Sequence, residues 1–270
     1  MLCFPNCKIN IGLYITRKRE DGYHDLETIF YPVQLQDALE AVPATIANTH
    51  ISGKAVAGNT QDNLVWKAYT LLQQHYPAQV PPMDIYLHKV IPMGAGLGGG
   101  SADGAFMLQL LNDICELGLS KEQLASYALQ LGSDCPFFIY NTPQYATGRG
   151  EQMSPINIDL SSYSLQLICP QLHVSTAKAF RMISPKPAPY DLRQLASLPI
   201  TAWKGTICND FEAAVFAMHP EIGSIKQQLY DQGAIYAAMS GSGSAVYAVM
   251  SKGSKALITA PVAFEQVYVL

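Results

Sequence analysis

The residues best suited to chemistry lie in the run Pro92-Met93-Gly94-Ala95-Gly96-Leu97-Gly98-Gly99-Gly100-Ser101-Ala102. Five of the seven positions from 94 to 100 are glycine, so several backbone N–H groups can approach one ligand with no Cβ in the way. Such N–H groups at the start of a helix carry partial positive charge and suit an anion, above all a phosphate. Gly94, Gly96 and Gly99 also satisfy GxGxxG. A dinucleotide-binding unit would need a second parallel strand ending in an acid about 20 residues further on. Here Asp113 and Glu116 fall at the end of the next helix, which runs into another helix, so that reading fails. A Walker loop needs lysine before its final Ser or Thr, where this chain has Gly100. A protein-kinase loop needs valine two residues after its third glycine, where this chain has Ser101. What remains is a phosphate cradle without a Walker lysine, followed by a helix that Ser101 is expected to cap. The competing reading is a tight turn that binds nothing, which so many glycines make entropically costly.

Three other groups could complete a site. Lys8 and Asn10 lie on one alternating face of an N-terminal segment, with Asp21-Gly22-Tyr23-His24 just beyond. By itself a strand lysine is most simply a solvated one. Asp134 stands in Leu131-Gly132-Ser133-Asp134-Cys135-Pro136-Phe137, where an isolated aspartate would most simply cap a turn. Ser240-Gly241-Ser242-Gly243-Ser244 separates two apolar runs and could by itself be a hairpin turn.

The elements that must position these groups can be read from periodicity. Ile9, Ile11, Leu13 and Ile15 alternate with Lys8, Asn10, Gly12 and Tyr14, predicting a strand with one core face and one polar face. A turn at Glu20-Asp21-Gly22 leads into a second extended run through Phe30. Leu64, Ala68, Leu71 and Leu72 give 62–75 a helical stripe, and 83–91 reads as a strand entering the glycine loop. The apolar stretch 102–111 reads as a buried helix. Ser120 and Gln123 form a capping box, and Gly132 is expected to end that helix in the left-handed conformation. Proline and serine at 154–164 suggest a boundary between domains 1–155 and 156–270, and 184–189 reads as a surface loop. Helices at 209–218 and 221–232 alternate with strands at 235–239, 245–250 and 263–269, an α+β pattern.

Composition narrows the class. Hydrophobic residues make up 49% and charged residues 14% of the 270, which predicts a substantial core. The net charge of -4, with no basic block longer than Arg17-Lys18-Arg19, speaks against a nucleic-acid partner. Six scattered cysteines include no CxxC pair, so a zinc site is not expected and free thiols in a reducing, cytoplasmic setting are. Lys8 interrupts the short apolar start, which argues against a secretory leader. No run approaches the ~20 apolar residues that span a bilayer, so no membrane partner is expected.

The strand with Lys8, the loop PMGAGLGGGSADGA at 92–105 and the turn MSGSGSAVYAV at 239–249 together resemble the GHMP kinase superfamily, which includes galactokinase, homoserine kinase and mevalonate kinase. The segments KINIGLYITRKREDGYHDLETIF (8–30), QDNLVWKAYTLL (61–72) and LGSDCPFFI (131–139) are similar to those members that phosphorylate 4-diphosphocytidyl-2-C-methyl-D-erythritol, CDP-methylerythritol, in the non-mevalonate isoprenoid route. The likeness runs through nearly the whole chain and is weakest around 40–60 and 182–205. It implies an α+β, two-domain GHMP kinase fold with the active site in the interdomain cleft. It also implies ATP with Mg²⁺ riding on the nucleotide rather than in a protein metal site, and a monomer or weak homodimer.

By the same resemblance Lys8 and Asp134 are the catalytic pair, and residues Pro92 to Ala102 hold ATP, with Asn63 on the adenine side. Tyr23 and His24 meet the cytosine by stacking and hydrogen bonding, with Phe180 on its other face. Asn10, Thr176, Gly241, Ser242 and Gly243 complete the substrate side. The chain departs from the family pattern at Cys7, where alanine is common, and at Ala102, where some relatives carry a second serine. Homoserine- or mevalonate-type kinases and a silent GHMP-fold binding protein are the alternatives.

Overall fold

Alternating apolar residues mark several strands, and side-chain caps at Asn63, Ser120 and Ser175 start three of the α-helices. The computed structural model describes residues 1–55 and 58–269. In chain order the strands are Leu2–Cys3 (β1), Asn6–Lys18 (β2), His24–Gln36 (β3), Ala38–Pro43 (β4), Asn48–Gly53 (β5), Met83–Lys89 (β6), Gln144–Thr147 (β7), Gln152–Pro155 (β8), Tyr163–Pro170 (β9), Tyr236–Met239 (β10), Val246–Ser251 (β11) and Val262–Val269 (β12). The α-helices are Leu64–His75 (α1), Gly99–Ile114 (α2), Lys121–Leu131 (α3), Cys135–Tyr140 (α4), Thr176–Arg181 (α5), Phe211–Met218 (α6) and Pro220–Asp231 (α7).

The chain forms two compact units. One holds residues 1–8, 32–93 and 98–142; the other holds 9–31, 94–97 and 143–270. The sequence-based division at 155 and 156 follows chain order, whereas here residues 9–31, 94–97 and 143–155 group with the later part of the chain.

In the first unit β1, β4, β6 and β5 form a sheet in that order, antiparallel except for the parallel β5–β6 pair. Helices α1 to α4 belong to the same unit, and α2 packs against α1, α3 and α4. Asn63 caps α1 by accepting from the Val65 N–H at 2.9 Å. The capping box of α3 is present, with Ser120 and Gln123 bonding each other's backbone N–H at 3.3 and 2.9 Å. Gly132 does close this helix, but at φ 168° it is extended rather than left-handed. Its N–H reaches the Ala128 carbonyl from that conformation, so no left-handed turn is required.

In the second unit β10, β11, β9 and β12 form an antiparallel sheet. Its core joins Ile168, Val246, Ala248 and Met239 to Phe211 and Val215 of α6 and to Ile222, Ile225 and Leu229 of α7. Residues 9–31 supply most of β2 and β3, which form a further sheet with β7 and β8. The turn joining β2 and β3 is fixed where Asp21 accepts from the Tyr23 N–H at 3.0 Å and Gly22 takes φ 84°.

Two expectations about β2 and α2 are corrected. The face of β2 that carries Lys8, Asn10 and Tyr14 is buried as fully as the face carrying the isoleucines. Lys8 and Asn10 on that face are therefore held by protein partners, Asp134 and Thr28, rather than by water. Helix α2 begins at Gly99, not at 102, and its N-cap is Gly98.

Candidate active site

Within the first unit, the Lys8 Nζ stands 3.5 Å from Asp134 Oδ2. The Lys8 side chain is 5% exposed and that of Asp134 35%, so the ammonium is hidden while the carboxylate can be reached. Burial pushes the Lys8 ammonium below its ordinary range, and the Asp134 charge opposes that shift. Asp134 occupies the N-cap position of α4, yet its carboxylate makes no capping bond. The turn-cap reading of this aspartate therefore fails, and its charge is directed to Lys8 instead.

The start of α2 belongs to the same unit. Gly98 has φ 70°, and a Cβ there would lie 3.0 Å from the Phe138 ring and 3.2 Å from two carbons of the Lys8 stem. Only glycine fits both that conformation and that packing. The Ala102 N–H closes the first turn onto the Gly98 carbonyl at 2.9 Å. The N–H groups of Gly99, Gly100 and Ser101 thus have no partner within the helix, the arrangement that accepts an anion. A Cβ on Gly100 would meet nothing within 4 Å, so the turn is open on that side. Ser101 does not cap the helix, because the left-handed Gly98 has already turned the chain into it. Burial pushes the nearby Cys135 thiol up to about 12, and the Ser101 hydroxyl opposes that shift.

Residues 94–97 of the loop belong to the second unit, where they are fastened to the 240–244 turn. A Cβ on Gly96 would lie 2.0 Å from the Ser240 carbonyl oxygen, and Gly96 has φ 76°. The Ser240 hydroxyl donates to the Gly96 carbonyl at 2.9 Å and accepts from the Asn10 N–H at 3.2 Å. The Ala245 N–H reaches the Ala95 carbonyl at 3.0 Å. Gly94, with φ 67°, brings its Cα hydrogens against His173, whose Nδ1 would be 3.0 Å from a Cβ. The serine-glycine turn is thus a structural clamp on the loop, which its reading as a flexible hairpin would not supply.

The aromatic group also lies in the second unit. The His24 and Phe180 rings are stacked, with centroids 4.9 Å apart and planes at 22°. Phe211 meets the edge of Phe180 at 4.8 Å. That His24–Phe180 spacing leaves no room for a base between the two rings, so a base would stack on an outer face or displace His24. Burial, with the nearby Lys18 charge, pushes the His24 imidazole below its ordinary range. Tyr23 is 57% exposed, and the Arg149 guanidinium sits 5.1 Å over its ring. Thr176 and Ser242 share a hydroxyl–hydroxyl bond at 2.8 Å. Asn10 donates to Thr28 at 3.0 Å, and Tyr247 donates to the Asn10 carbonyl at 2.8 Å. Asn63 spends its side-chain oxygen on the α1 cap, leaving its amide nitrogen as the group for any ligand.

Sequence reasoning missed two positions. Asn209 donates to the Met239 and Gly241 carbonyls at 2.8 Å each and accepts from the Phe211 N–H at 2.9 Å, tying the 240–244 turn to α6. Lys89 is buried between Asp37 and Asp103. Its signal was present: Met83, Ile85, Leu87 and Lys89 share the buried face of β6, so the lysine occupies an apolar period. Among the described residues no three His, Cys, Asp or Glu side chains are grouped as a metal site, and no helix is long and apolar enough to cross a membrane.

Comparison with known proteins gives a consistent picture. The chain matches the models for the GHMP kinases N terminal domain over residues 63–142 and the GHMP kinases C terminal over residues 200–265. It is 51% identical over 262 residues to the 4-diphosphocytidyl-2-C-methyl-D-erythritol kinase of Bacteroides fragilis, covering 94% of each chain. A crystal structure of 4-(cytidine 5'-diphospho)-2C-methyl-D-erythritol kinase is similar with a TM-score of 0.79 and 30% identity, over 92% of this chain and 90% of that one. The homoserine kinase of Cytophaga hutchinsonii shares the fold, with a TM-score of 0.66 at 15% identity over 92% of this chain and 86% of that one.

Proposed function

This chain belongs to the GHMP kinase family, and from that premise we propose that it transfers the γ-phosphoryl group of ATP to the 2-hydroxyl of CDP-methylerythritol, with Lys8 and Asp134 as the catalytic pair. The observation that carries the residue assignment is the pairing of a buried ammonium with a reachable carboxylate. In the reaction the acceptor oxygen forms a bond to the γ-phosphorus as the bond from that phosphorus to the bridging oxygen breaks, releasing ADP. The hydroxyl proton passes to the Asp134 carboxylate. Lys8 orients the Asp134 carboxylate and offsets negative charge building on the acceptor oxygen. Phosphoryl transfer relies mainly on positioning and charge stabilisation, which a fixed ion pair and a fixed helix start supply.

The free N–H groups of Gly99, Gly100 and Ser101 are the phosphate donors in this reading, with the rest of 92–102 shaping the loop. Mg²⁺ would neutralise phosphate charge, held mainly by the nucleotide oxygens. The Asn63 amide is assigned to adenine. The exposed Tyr23 ring, His24 and Phe180 take the cytosine, Asn10 the methylerythritol end, and Thr176 with Gly241, Ser242 and Gly243 the remainder of the substrate. The six cysteines form no disulfide, which fits a reducing, cytoplasmic setting, and the working form is taken as a monomer or weak homodimer.

The test is a panel of acceptors with ATP and Mg²⁺. CDP-methylerythritol should be phosphorylated, and homoserine and mevalonate should not. Turnover of either alternative without turnover of CDP-methylerythritol would overturn the substrate assignment.

A further inference from the structure

Lys89, Asp37 and Asp103 are each 2% exposed or less. Lys89 ends β6 just before the glycine loop, and Asp103 lies in the early turns of α2 just after it. The Lys89 ammonium donates to Asp103 Oδ2 at 2.6 Å and also to Asp37. The other Asp37 oxygen accepts the N–H groups of Val90 and Ile91 at 2.5 and 2.8 Å. One carboxylate therefore holds the two residues leaving the strand, while one ammonium ties that strand to the helix. Gly99, the first residue of α2, rests on the same stem: a Cβ there would lie 2.8 Å from an Ile91 methyl and 3.5 Å from Lys89 Nζ.

Two carboxyl groups face one ammonium in this cluster, so its charges balance only while one carboxyl holds a proton. Asp103 Oδ1 is buried with no hydrogen-bond partner. Simple anchoring would be served as well by apolar packing, because buried ion pairs rarely add net stability. What the cluster adds is a fixed geometry for both sides of the loop.

We propose that Lys89, Asp37 and Asp103 are positioning residues for the kinase reaction, holding the first turn of α2 so that its free N–H groups meet the ATP phosphates. The inference rests on the reading of this loop as the ATP site. It has a titratable consequence. Burial pushes the Asp103 carboxyl up to about 8, with Lys89 opposing the shift and Asp37 adding to it. Below that pH Asp103 holds a proton, and the cluster has one carboxylate for its ammonium. Above it an extra negative charge lies beneath the turn that must take phosphate. Cys3 also faces Asp103, but burial pushes its thiol up to about 12, outside this window.

The experiment measures ATP affinity, KM for ATP and kcat from pH 6.5 to 9 for the wild type, Asp103→Asn and Lys89→Met, with melting temperatures. In the wild type KM for ATP should rise by up to about tenfold between pH 7 and pH 9, as one proton is lost. Asp103→Asn should lack that rise, whatever its value at pH 7. Lys89→Met should raise KM for ATP by about tenfold or more while kcat changes by less than about threefold. Matching pH profiles in the wild type and Asp103→Asn would overturn the proposal. So would a Lys89→Met protein that melts earlier yet binds ATP as the wild type does, since the cluster would then serve stability only. If Lys89→Met does not fold, the Asp103→Asn profile decides. A wild type that does not bind ATP at all would instead sink the reading of the loop on which the inference stands.

Discussion

The two compact units hold their candidate groups by different physics. The first concentrates charge: Lys8 against Asp134, Lys89 between two aspartates, and a helix start whose N–H groups lack partners. The second concentrates neutral hydrogen bonds and ring contacts: Ser240 and Asn209 around the glycine turn, and His24 stacked on Phe180. Removing one member of a buried charged pair leaves the other uncompensated, which is costly. A neutral hydrogen bond or ring pair is worth only about 1 kcal/mol. Under the proposed assignment the contrast separates bond-making from recognition: changes in the first unit should register in kcat and phosphate affinity, and changes in the second in stability and acceptor KM.

The largest effect should come from Asp134→Ala. Loss of a positioned proton acceptor costs about 10²- to 10⁴-fold in rate. Steady-state kinetics should show that drop in kcat, with KM for ATP within a few-fold of the wild type. An unchanged kcat would remove Asp134 from the mechanism and end the division between the units.

A pair of glycine substitutions sharpens the comparison. Gly96→Ala puts a methyl 2.0 Å from the Ser240 carbonyl at φ 76°, a clash added to a left-handed penalty of about 1–2 kcal/mol. Melting should fall by several degrees, with activity lost alongside it. Gly100→Ala places its methyl in open space on a helical residue, where alanine is favoured by up to about 1 kcal/mol. Its melting temperature should hold or rise while KM for ATP increases, because the methyl occupies the approach to the free N–H groups. Equal stability losses in both variants would refute the idea that the two halves of the loop serve different ends.

Asn209→Ala should follow. It strands the Met239 and Gly241 carbonyls and the Phe211 N–H, at about 1–3 kcal/mol for each group left buried without a partner. Calorimetry should detect the loss of stability, and Asn209→Asp should not restore it, because a carboxylate cannot donate to those carbonyls.

Much of this was legible in the chain, in a pattern that follows the same division. Local signals were sound: the Ser120–Gln123 capping box, the stripe of α1 and the alternation of β2 all describe real elements. Where the reading failed, a distant partner decided the outcome. Ser101 looked like a cap, but Gly98, packed on Lys8 and Phe138, turns the chain first. The polar face of β2 looked solvated, but Asn10 is taken up by Thr28 and Tyr247. Residues 163–170 were overlooked beside a proline- and serine-rich stretch that read as a boundary, yet β9 lies between β11 and β12 with Ser164 and Gln166 wholly buried. Gln166 is affordable there because its amide bonds both the carbonyl and the N–H of Ala256, ninety residues away. Asn209 went unnoticed because the carbonyls it holds lie 30 and 32 residues on, and Lys89, though it sits in an apolar period, pairs with an Asp37 that is 52 residues away.

The smallest expected effects test the recognition side. Phe180→Leu removes the ring stacked on His24 and should raise KM for CDP-methylerythritol by about threefold to tenfold, the equivalent of one aromatic contact, with kcat preserved. His24 supplies a finer test. Burial and the Lys18 charge lower its imidazole, so the neutral ring dominates at neutral pH and protonates only when the pH falls through that depressed value. If the neutral ring is the form that meets cytosine, KM for CDP-methylerythritol should be independent of His24 above the ordinary imidazole range and rise on its acid side. Lys18→Met removes a cation that disfavours the imidazolium. The acid rise should then begin at higher pH, by a fraction of a unit because Lys18 is the lesser of the two causes. A Lys18→Met profile that coincides with the wild type would mean that His24 does not govern acceptor binding, leaving Tyr23 and Phe180 as the recognition surface.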